Sequence, residues 1–390
     1  MGSQAERKKK KKMSAGKRTG MIAGILVGIA LLSAVVLVLI LVHFYSKLNY
    51  VPLDDNYTIA DQTETALEDV TNPDETTAED SDIEVVDAYK AAVEEALKEN
   101  NMQAPQLDDI ISLLLIGTDE RNVGERARAD TIMLVNINTK TKQIVATSFL
   151  RDLYVYLPEK GFNKINASHA YGGIELLCDT LQYNFSIEVH DYITVNFNSF
   201  IKVVDILGGL DININEDELY WVNQYIHASN LIVGDDEDSD YLEFANGSPQ
   251  HLNGKQALAY ARVRYVGYGD FRRTERQRTV VNQAFDKLKN TDADTLITLL
   301  NEILPEVTTN IEFEEFLSLI AMIPELSTYE IVSTSVPNTE VENYQSLMID
   351  GIYYLGIDYD TYIDYIYEVA YNSKPKETES ESESEFLPFE

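Results

Sequence analysis

Residues 21–44 form an uninterrupted apolar run in which only Ser33 and His43 are polar. About 20 such residues suffice to cross a bilayer as a helix, so the run predicts a single transmembrane helix. A cleaved signal peptide has a shorter apolar core and ends in small residues, whereas this run ends in His43, Phe44 and Tyr45, so an uncleaved anchor is expected. Arg7, Lys8 to Lys12, Lys17 and Arg18 precede the run, and acidic residues dominate the chain after it. The positive-inside rule then keeps residues 1–20 in the cytoplasm as a basic tail and places everything after the span outside the cell membrane. Gly20, Gly24 and Gly28 have the small-xxx-small spacing that packs two such helices together, although glycine is common in any spanning helix.

The exported part divides by composition. Residues 45–84 are rich in Asp, Glu and Thr and poor in aromatics, which predicts a flexible acidic linker. Residues 373–390, with their Glu-Ser alternation, predict a disordered acidic tail. Between them, residues 85–372 are long enough for one extracellular domain. The acidic run 235–240 lacks the glycine-centred spacing of a calcium loop and is expected to be a solvated excursion. With 31 Lys and Arg against 65 Asp and Glu, a formal net charge of -34, the chain repels a polyphosphate backbone, so no nucleic-acid partner is expected. Cys178 is the single cysteine, which excludes an intrachain disulfide and a thiolate-rich metal site. Its place among Ile174, Leu177 and Leu181 predicts a buried structural thiol.

Within the domain, strand-like and helical patterns alternate. Strands are predicted over 110–117, 189–197 and 210–214, and a hairpin over 131–138 and 143–149 joined by 139–142. Helices are predicted over 170–182, 199–207, 254–262 and 274–289. The alternation implies an α/β domain of three layers, α-β-α, with a central mixed sheet, preceded by one transmembrane helix.

The hairpin has a geometric consequence. If 110–117 pairs antiparallel with 131–138, Asp119 and Asp130 arrive at one sheet edge, and the hairpin returns Arg151 and Asp152 to the same edge. Two carboxylates there suit Mg²⁺, which takes one or two protein carboxylates and completes its shell with water and substrate phosphate. Further on, Arg262, Arg264, Arg272, Arg273, Arg276 and Arg278 occur in a stretch with no lysine. Their planar forks match phosphate oxygens two at a time. Arg273, Arg276 and Gln277 are expected to open the last helix, above an inward stripe of Val281, Ala284 and Leu288. Cations there oppose the helix dipole, so a bound phosphate or pyrophosphate is inferred. Taken singly, these arginines read as a solvated face paired with Asp270 and Glu275, and the aspartates as strand ends. Their coincidence favours a site.

The order of motifs carries a resemblance. Gly117-Thr118-Asp119-Glu120-Arg121, Arg128-Ala129-Asp130-Thr131-Ile132-Met133-Leu134 and residues 148–152 resemble the opening motifs of the LytR-CpsA-Psr family. Lys164-Ile165-Asn166-Ala167, Gly208-Gly209, residues 252–264 and the group Asp270, Arg273, Arg276 and Gln277 continue it over a motif core of 107–289. Leu150 stands where a proline is usual and Ala129 where a serine is usual.

The resemblance implies a membrane-anchored phosphotransferase. Such an enzyme moves a glycopolymer phosphate from a polyprenyl pyrophosphate carrier to a peptidoglycan sugar hydroxyl, attaching a secondary wall polymer at the outer face of the cytoplasmic membrane. It further implies that Asp119 and Asp130 position Mg²⁺ (or Mn²⁺), and that Arg121, Arg128, Arg151, Arg262 and Arg264, joined by Arg273, Arg276 and Gln277, hold the pyrophosphate. Asp270, Lys164 and Asn166 would support them. Asp119 or Asp152 would take the hydroxyl proton, and a lipid channel would run past Tyr154 and Tyr156. A non-catalytic regulator that binds polyprenyl phosphate and a pyrophosphate hydrolase share the same anion site.

Overall fold

A computed structural model of the chain describes residues 39–377 except 55, 58, 60–80, 82, 100–101, 104–108, 119–126, 246–247, 268, 327, 342 and 373–375. All but the last residues of the expected anchor thus lie outside the described residues, as do most of the linker and the tail. Among the described residues no helix is long and apolar enough to cross a membrane. The chain divides into two compact units, Met1–Lys47 and Leu48–Glu390. In the first, residues 39–45 are helical and the Ser46 hydroxyl donates to the His43 carbonyl at 2.8 Å.

The second unit opens on strand β1 (Asn49–Tyr50), α1 (Ile83–Glu99) and β2 (Met102–Gln103), and continues through β3 (Ile110–Thr118), β4 (Ala129–Asn138) and β5 (Gln143–Phe149). A small ribbon, β6 (Tyr154–Leu157) and β7 (Gly161–Lys164), leads into α2 (Ile165–Phe185) and β8 (Asp191–Asn196). Next come α3 (Phe197–Ile206), β9 (Leu210–Asn213), α4 (Glu216–Val233), β10 (Pro249–Leu252), α5 (Gly254–Arg262), α6 (Gly269–Lys289) and α7 (Ala293–Ile303). The chain closes with β11 (Thr308–Thr309), α8 (Phe313–Leu326), β12 (Glu330–Val336), the hairpin β13 (Tyr344–Ile349) and β14 (Ile352–Ile357), α9 (Tyr359–Tyr371) and β15 (Lys376–Glu377).

Seven strands form the central sheet in the order β1-β11-β8-β3-β4-β5-β12. It is mixed: β3 pairs antiparallel with β4 and parallel with β8, and β5 pairs antiparallel with β4 and parallel with β12. Side chains alternate across each strand. On β3 and β4, Leu114, Ile116, Ile132 and Leu134 are buried in one cluster with α1, α2 and α9, while Leu115, Gly117 and Thr131 face a cavity on the other side. That second face is covered by α3, α4, α5 and α6, whose own cluster centres on Val204, Val222, Ile226, Ala257 and Val280. The α/β class and the mixed sheet between helices are as the alternation predicted.

Three expectations change. The linker does not begin at residue 45, because Asn49 and Tyr50 pair in parallel with Thr308 and Thr309, the Val51 amide donates to Thr309 and the Tyr192 hydroxyl donates to the Val51 carbonyl. Backbone pairing at a sheet edge holds this acidic segment where composition alone signals disorder. The helix expected from residue 274 starts at Gly269, so Arg273 and Arg276 lie past its first turn, where the dipole argument loses force. Leu288 is exposed, and Val280 takes the innermost place.

Two local readings stand. Cys178 is buried, and burial pushes its thiol up in pKa. The 235–240 excursion is exposed and folds around a lysine: the Lys255 ammonium lies 2.8 Å from Asp235, 3.0 Å from Asp240 and 2.9 Å from the Asn230 side-chain oxygen.

Candidate functional site

The register decides which residues meet. Gly117 faces Thr131, a bulge shifts Thr118 onto Ala129, and Ile132 faces Phe149, so the end of β3, the start of β4 and the exit of β5 share one edge. The Arg151 guanidinium accordingly donates to Asp130 Oδ1 at 3.0 Å. Asp119, Glu120 and Arg121 follow β3 directly but lie outside the described residues, as does the side chain of Asp270. Arg128 immediately precedes β4 and does not line the cavity. Leu150, at the proline position, donates its amide to the Val336 carbonyl at 2.9 Å, a rung that a proline could not make.

The arginines come from the helical layer. Asn253 and Gln256 form a reciprocal cap at the start of α5. Gly254 lies so close under α3 that an added Cβ would stand 2.2 Å from the Ile201 carbonyl oxygen. Gly254→Ala is therefore expected to cost about 1 to 3 kcal/mol in denaturant stability. This packing fixes the other end of α5, where Arg262 is held between two rings, 4.9 Å from Phe197 and 5.1 Å from Tyr225. Arg262 forms no ion pair or hydrogen bond among the described residues, so its donors face the cavity.

Asp130, Arg151, Arg262, Arg264, Arg273 and Gln277 line the mouth of one cavity of about 140 Å³. Below them its walls are apolar: Leu115, Val195, Phe200, Leu258, Ala261 and Val281. Burial pushes the Asp130 carboxyl up, but Arg151, Arg273 and Arg262 outweigh it and hold the group below its usual range. Asp130 is thus a carboxylate near neutral pH, a poor proton acceptor and a suitable ligand for a cation. Its Oδ2 has no hydrogen bond among the described residues. Among the described residues there is no group of three or more His, Cys, Asp or Glu that would cage a metal. One carboxylate oxygen beside a phosphate pocket fits Mg²⁺, which relies on substrate and water for the rest of its shell.

Other expected site residues stand behind this mouth or apart from it. Asp152 is buried, does not line the cavity, and is held 2.8 Å from the Lys164 ammonium and 3.7 Å from Arg151. It stands behind Arg151 and braces that guanidinium. Asn166 is fully buried, with its amide nitrogen bonded to the Arg151 carbonyl at 3.3 Å. Arg276 is likewise turned into the protein. Its guanidinium donates to Glu218 at 2.9 Å and to the carbonyls of Val263 and Val266 at 3.0 Å each, so its fork is spent inside the protein. Arg272 is a surface partner of Glu275. Tyr154 and Tyr156 pack with Phe162 beside the ribbon and do not line the cavity, which opens on the other face of the sheet.

Two features escaped the sequence reading. The apolar wall from α3, α5 and α6 reads as ordinary core. His169, on α2, donates through Nδ1 to the Ala127 carbonyl at 2.7 Å and so holds the strand entry that carries Arg128 and Asp130. Burial lowers its pKa despite that bond. As pH falls below 6.5, the unfolded chain takes up a proton that the folded one refuses, and stability declines. His169→Gln is expected to lose that part of the acid sensitivity, read from urea midpoints above and below pH 6.5.

Fold and site together define an α/β protein with a cluster of guanidinium groups and a carboxylate at one edge of a mixed sheet, lining a cavity whose other walls are largely apolar. The chain belongs to the LytR_cpsA_psr family, whose model matches residues 77–369. It is 33% identical over 253 residues to the polyisoprenyl-teichoic acid–peptidoglycan teichoic acid transferase TagU of Bacillus licheniformis, covering 64% of this chain and 74% of that protein. It is 33% identical over 215 residues to the regulatory protein MsrR of Staphylococcus aureus, covering 53% and 60%. The solved structure of TagT bound to LI-WTA superposes with a TM-score of 0.52 at 26% identity, covering 68% of this chain and 90% of that one.

Proposed function

We propose that this chain transfers a glycopolymer phosphate from a polyprenyl pyrophosphate carrier to a peptidoglycan sugar hydroxyl, from an N-terminal anchor in the cytoplasmic membrane. One observation carries the reading: a guanidinium cluster and a carboxylate share the mouth of a cavity whose depth is apolar. A prenyl diphosphate has that division, with a charged head and a hydrocarbon tail. The transferase TagU, a relative by sequence, is named for a polyisoprenyl-linked donor and a peptidoglycan acceptor.

In the reaction, the acceptor oxygen attacks the phosphorus that carries the polymer. A new P–O bond forms, the bond to the bridging oxygen breaks, and polyprenyl phosphate leaves. Arg262, Arg264 and Arg273 neutralise the diphosphate and the charge that grows on the departing phosphate, and Arg151 is held in line by Asp130 and Asp152. Asp130, with Asp119, would hold Mg²⁺, which supplies further charge neutralisation at the phosphates. Asp119 or Asp152 would be the carboxylate that relieves the hydroxyl of its proton. At about 140 Å³ the cavity is below the roughly 300 Å³ of a drug-sized pocket, so seating a prenyl chain requires α5 and α6 to move away from the sheet.

The test is to incubate the full chain in detergent with Mg²⁺, a lipid pyrophosphate-linked saccharide and a peptidoglycan oligosaccharide, and to look for a phosphodiester-linked product. Free saccharide phosphate alone would make the protein a hydrolase, and binding without turnover a regulator. Turnover is expected to stop in EDTA, and Asp130→Asn to raise the Mg²⁺ concentration it requires. Turnover indifferent to chelation would remove the metal from the proposal.

A further inference from the structure

The single tryptophan of the chain stands beside the phosphate mouth without belonging to it. Trp221 and Tyr225 are one turn apart on α4 and so share a face of the helix. Tyr225 lines the cavity and packs on Arg262. Tyr265 directly follows Arg264, another mouth residue, and its ring centroid lies 4.1 Å from that of Trp221, with 38° between the planes. Tyr220 meets Trp221 edge-on at 5.1 Å and is 59% exposed. Two groups of rings therefore stand side by side along α4: Phe197 and Tyr225 about Arg262 at the cavity wall, and Trp221 with Tyr265 and Tyr220 toward solvent.

Ordinary packing accounts for part of this, since Trp221 rests on the second core cluster. It does not by itself explain why two half-buried rings, Trp221 and Tyr265, and the exposed Tyr220 gather beside the arginines that line the cavity. A pyranose ring has an apolar C–H face that lies flat on an aromatic ring and hydroxyls that remain in water, the same division that Tyr and Trp present at their own edges. In a saccharide diphosphate the first sugar is bonded directly to phosphate, so it must lie within one ring of the arginines. Arg264 and Tyr265 are adjacent in the chain and supply both halves of that contact.

We propose that Trp221 and Tyr265, flanked by Tyr220, form a pyranose-binding platform that orients a sugar ring against the phosphate held at Arg262 and Arg264. The inference rests on the diphosphate reading of the mouth. Two sources carry such a ring: the saccharide on the donor diphosphate and the glycan strand that accepts it.

Because Trp221 is the only tryptophan, its emission reports the platform directly. The full chain in detergent is titrated with a saccharide-bearing prenyl pyrophosphate, a sugar-free prenyl pyrophosphate, and a lipid-free peptidoglycan oligosaccharide. Calorimetry of the sugar-free lipid with wild type and Arg262→Ala checks the mouth independently. A change in emission with the saccharide-bearing lipid that exceeds the change with the sugar-free lipid assigns the platform to the donor. A change with the oligosaccharide alone assigns it to the acceptor. Equal changes with the two lipids, or no change with any sugar while calorimetry shows the sugar-free lipid bound, overturn the platform and leave the mouth intact. Absence of calorimetric binding that depends on Arg262 overturns the diphosphate reading itself.

Tyr265→Leu, which keeps bulk but removes the ring, is expected to raise KM for the sugar ligand about tenfold. Affinity for the sugar-free lipid should stay within about twofold, and Tyr265→Phe should behave as wild type. Equal weakening of both ligands in Tyr265→Leu would reduce the stack to a support for the arginine loop.

Discussion

Arg262→Ala is expected to lower turnover by about 100- to 1,000-fold while the melting temperature stays near that of the wild type. The size of the effect reflects the surroundings of the guanidinium. It sits at the end of α5 between Phe197 and Tyr225 with no ion pair among the described residues, so its charge is available to a ligand in a cavity with largely apolar walls. A fixed cation at such a place acts on the charge that develops as the phosphate leaves. Its removal leaves no buried carboxylate stranded, because Asp130 keeps Arg151 at 3.0 Å and Arg273 on the same wall. The loss to the fold is limited to two ring contacts, each about 0.5 to 1 kcal/mol. Arg262→Lys recovers little, since an ammonium offers neither the fork nor the flat face. The measurement is transfer rate from a lipid pyrophosphate-linked saccharide, with thermal unfolding alongside. Wild-type turnover in Arg262→Ala would remove this residue from the diphosphate site.

Arg276→Ala behaves in the opposite way and destabilises the fold by about 3 to 5 kcal/mol. Its partner Glu218 is 7% exposed and serves twice, capping α4 through the Asn215 amide at 3.1 Å and accepting from Arg276 at 2.9 Å. Without the guanidinium, a carboxylate is left buried and unpaired, and the carbonyls of Val263 and Val266 lose their donors. Denaturant midpoints measure the loss. Arg276→Met combined with Glu218→Gln, which removes both charges together, is expected to recover part of it. A fully stable Arg276→Ala chain with impaired turnover would return this arginine to the pyrophosphate, the role the motif order implied for it.

The contrast between these two arginines marks how far the residues could be read in advance. Both belong to one arginine-rich stretch, and nothing within that stretch distinguishes them. Arg276 points to Glu218, which is 58 positions away in the chain. Arg262 points to a space whose far wall is Leu115 and Val195. Asp130 and Arg151 were easier, because they are linked by a hairpin whose register follows from strand length and a four-residue turn. Asp152 was less legible, because only the position of Lys164, 2.8 Å from its carboxylate, shows that it lies buried behind Arg151.

The amino-acid order by itself determined the α/β layering, the hairpin that brings Asp130 to Arg151, the clustering of arginines and the family. These depend on periodicity, local turns and residue chemistry, which act over a few positions and are written into neighbouring residues. Tertiary structure alone decided which arginines face ligand and which face Glu218, that the chain just beyond residue 48 is an edge strand, and that the apolar cavity lies under α5 and α6 rather than beside Tyr154 and Tyr156. Those outcomes depend on which distant surfaces are buried together, and an apolar side chain that lines a cavity has the same sequence pattern as one that fills a core.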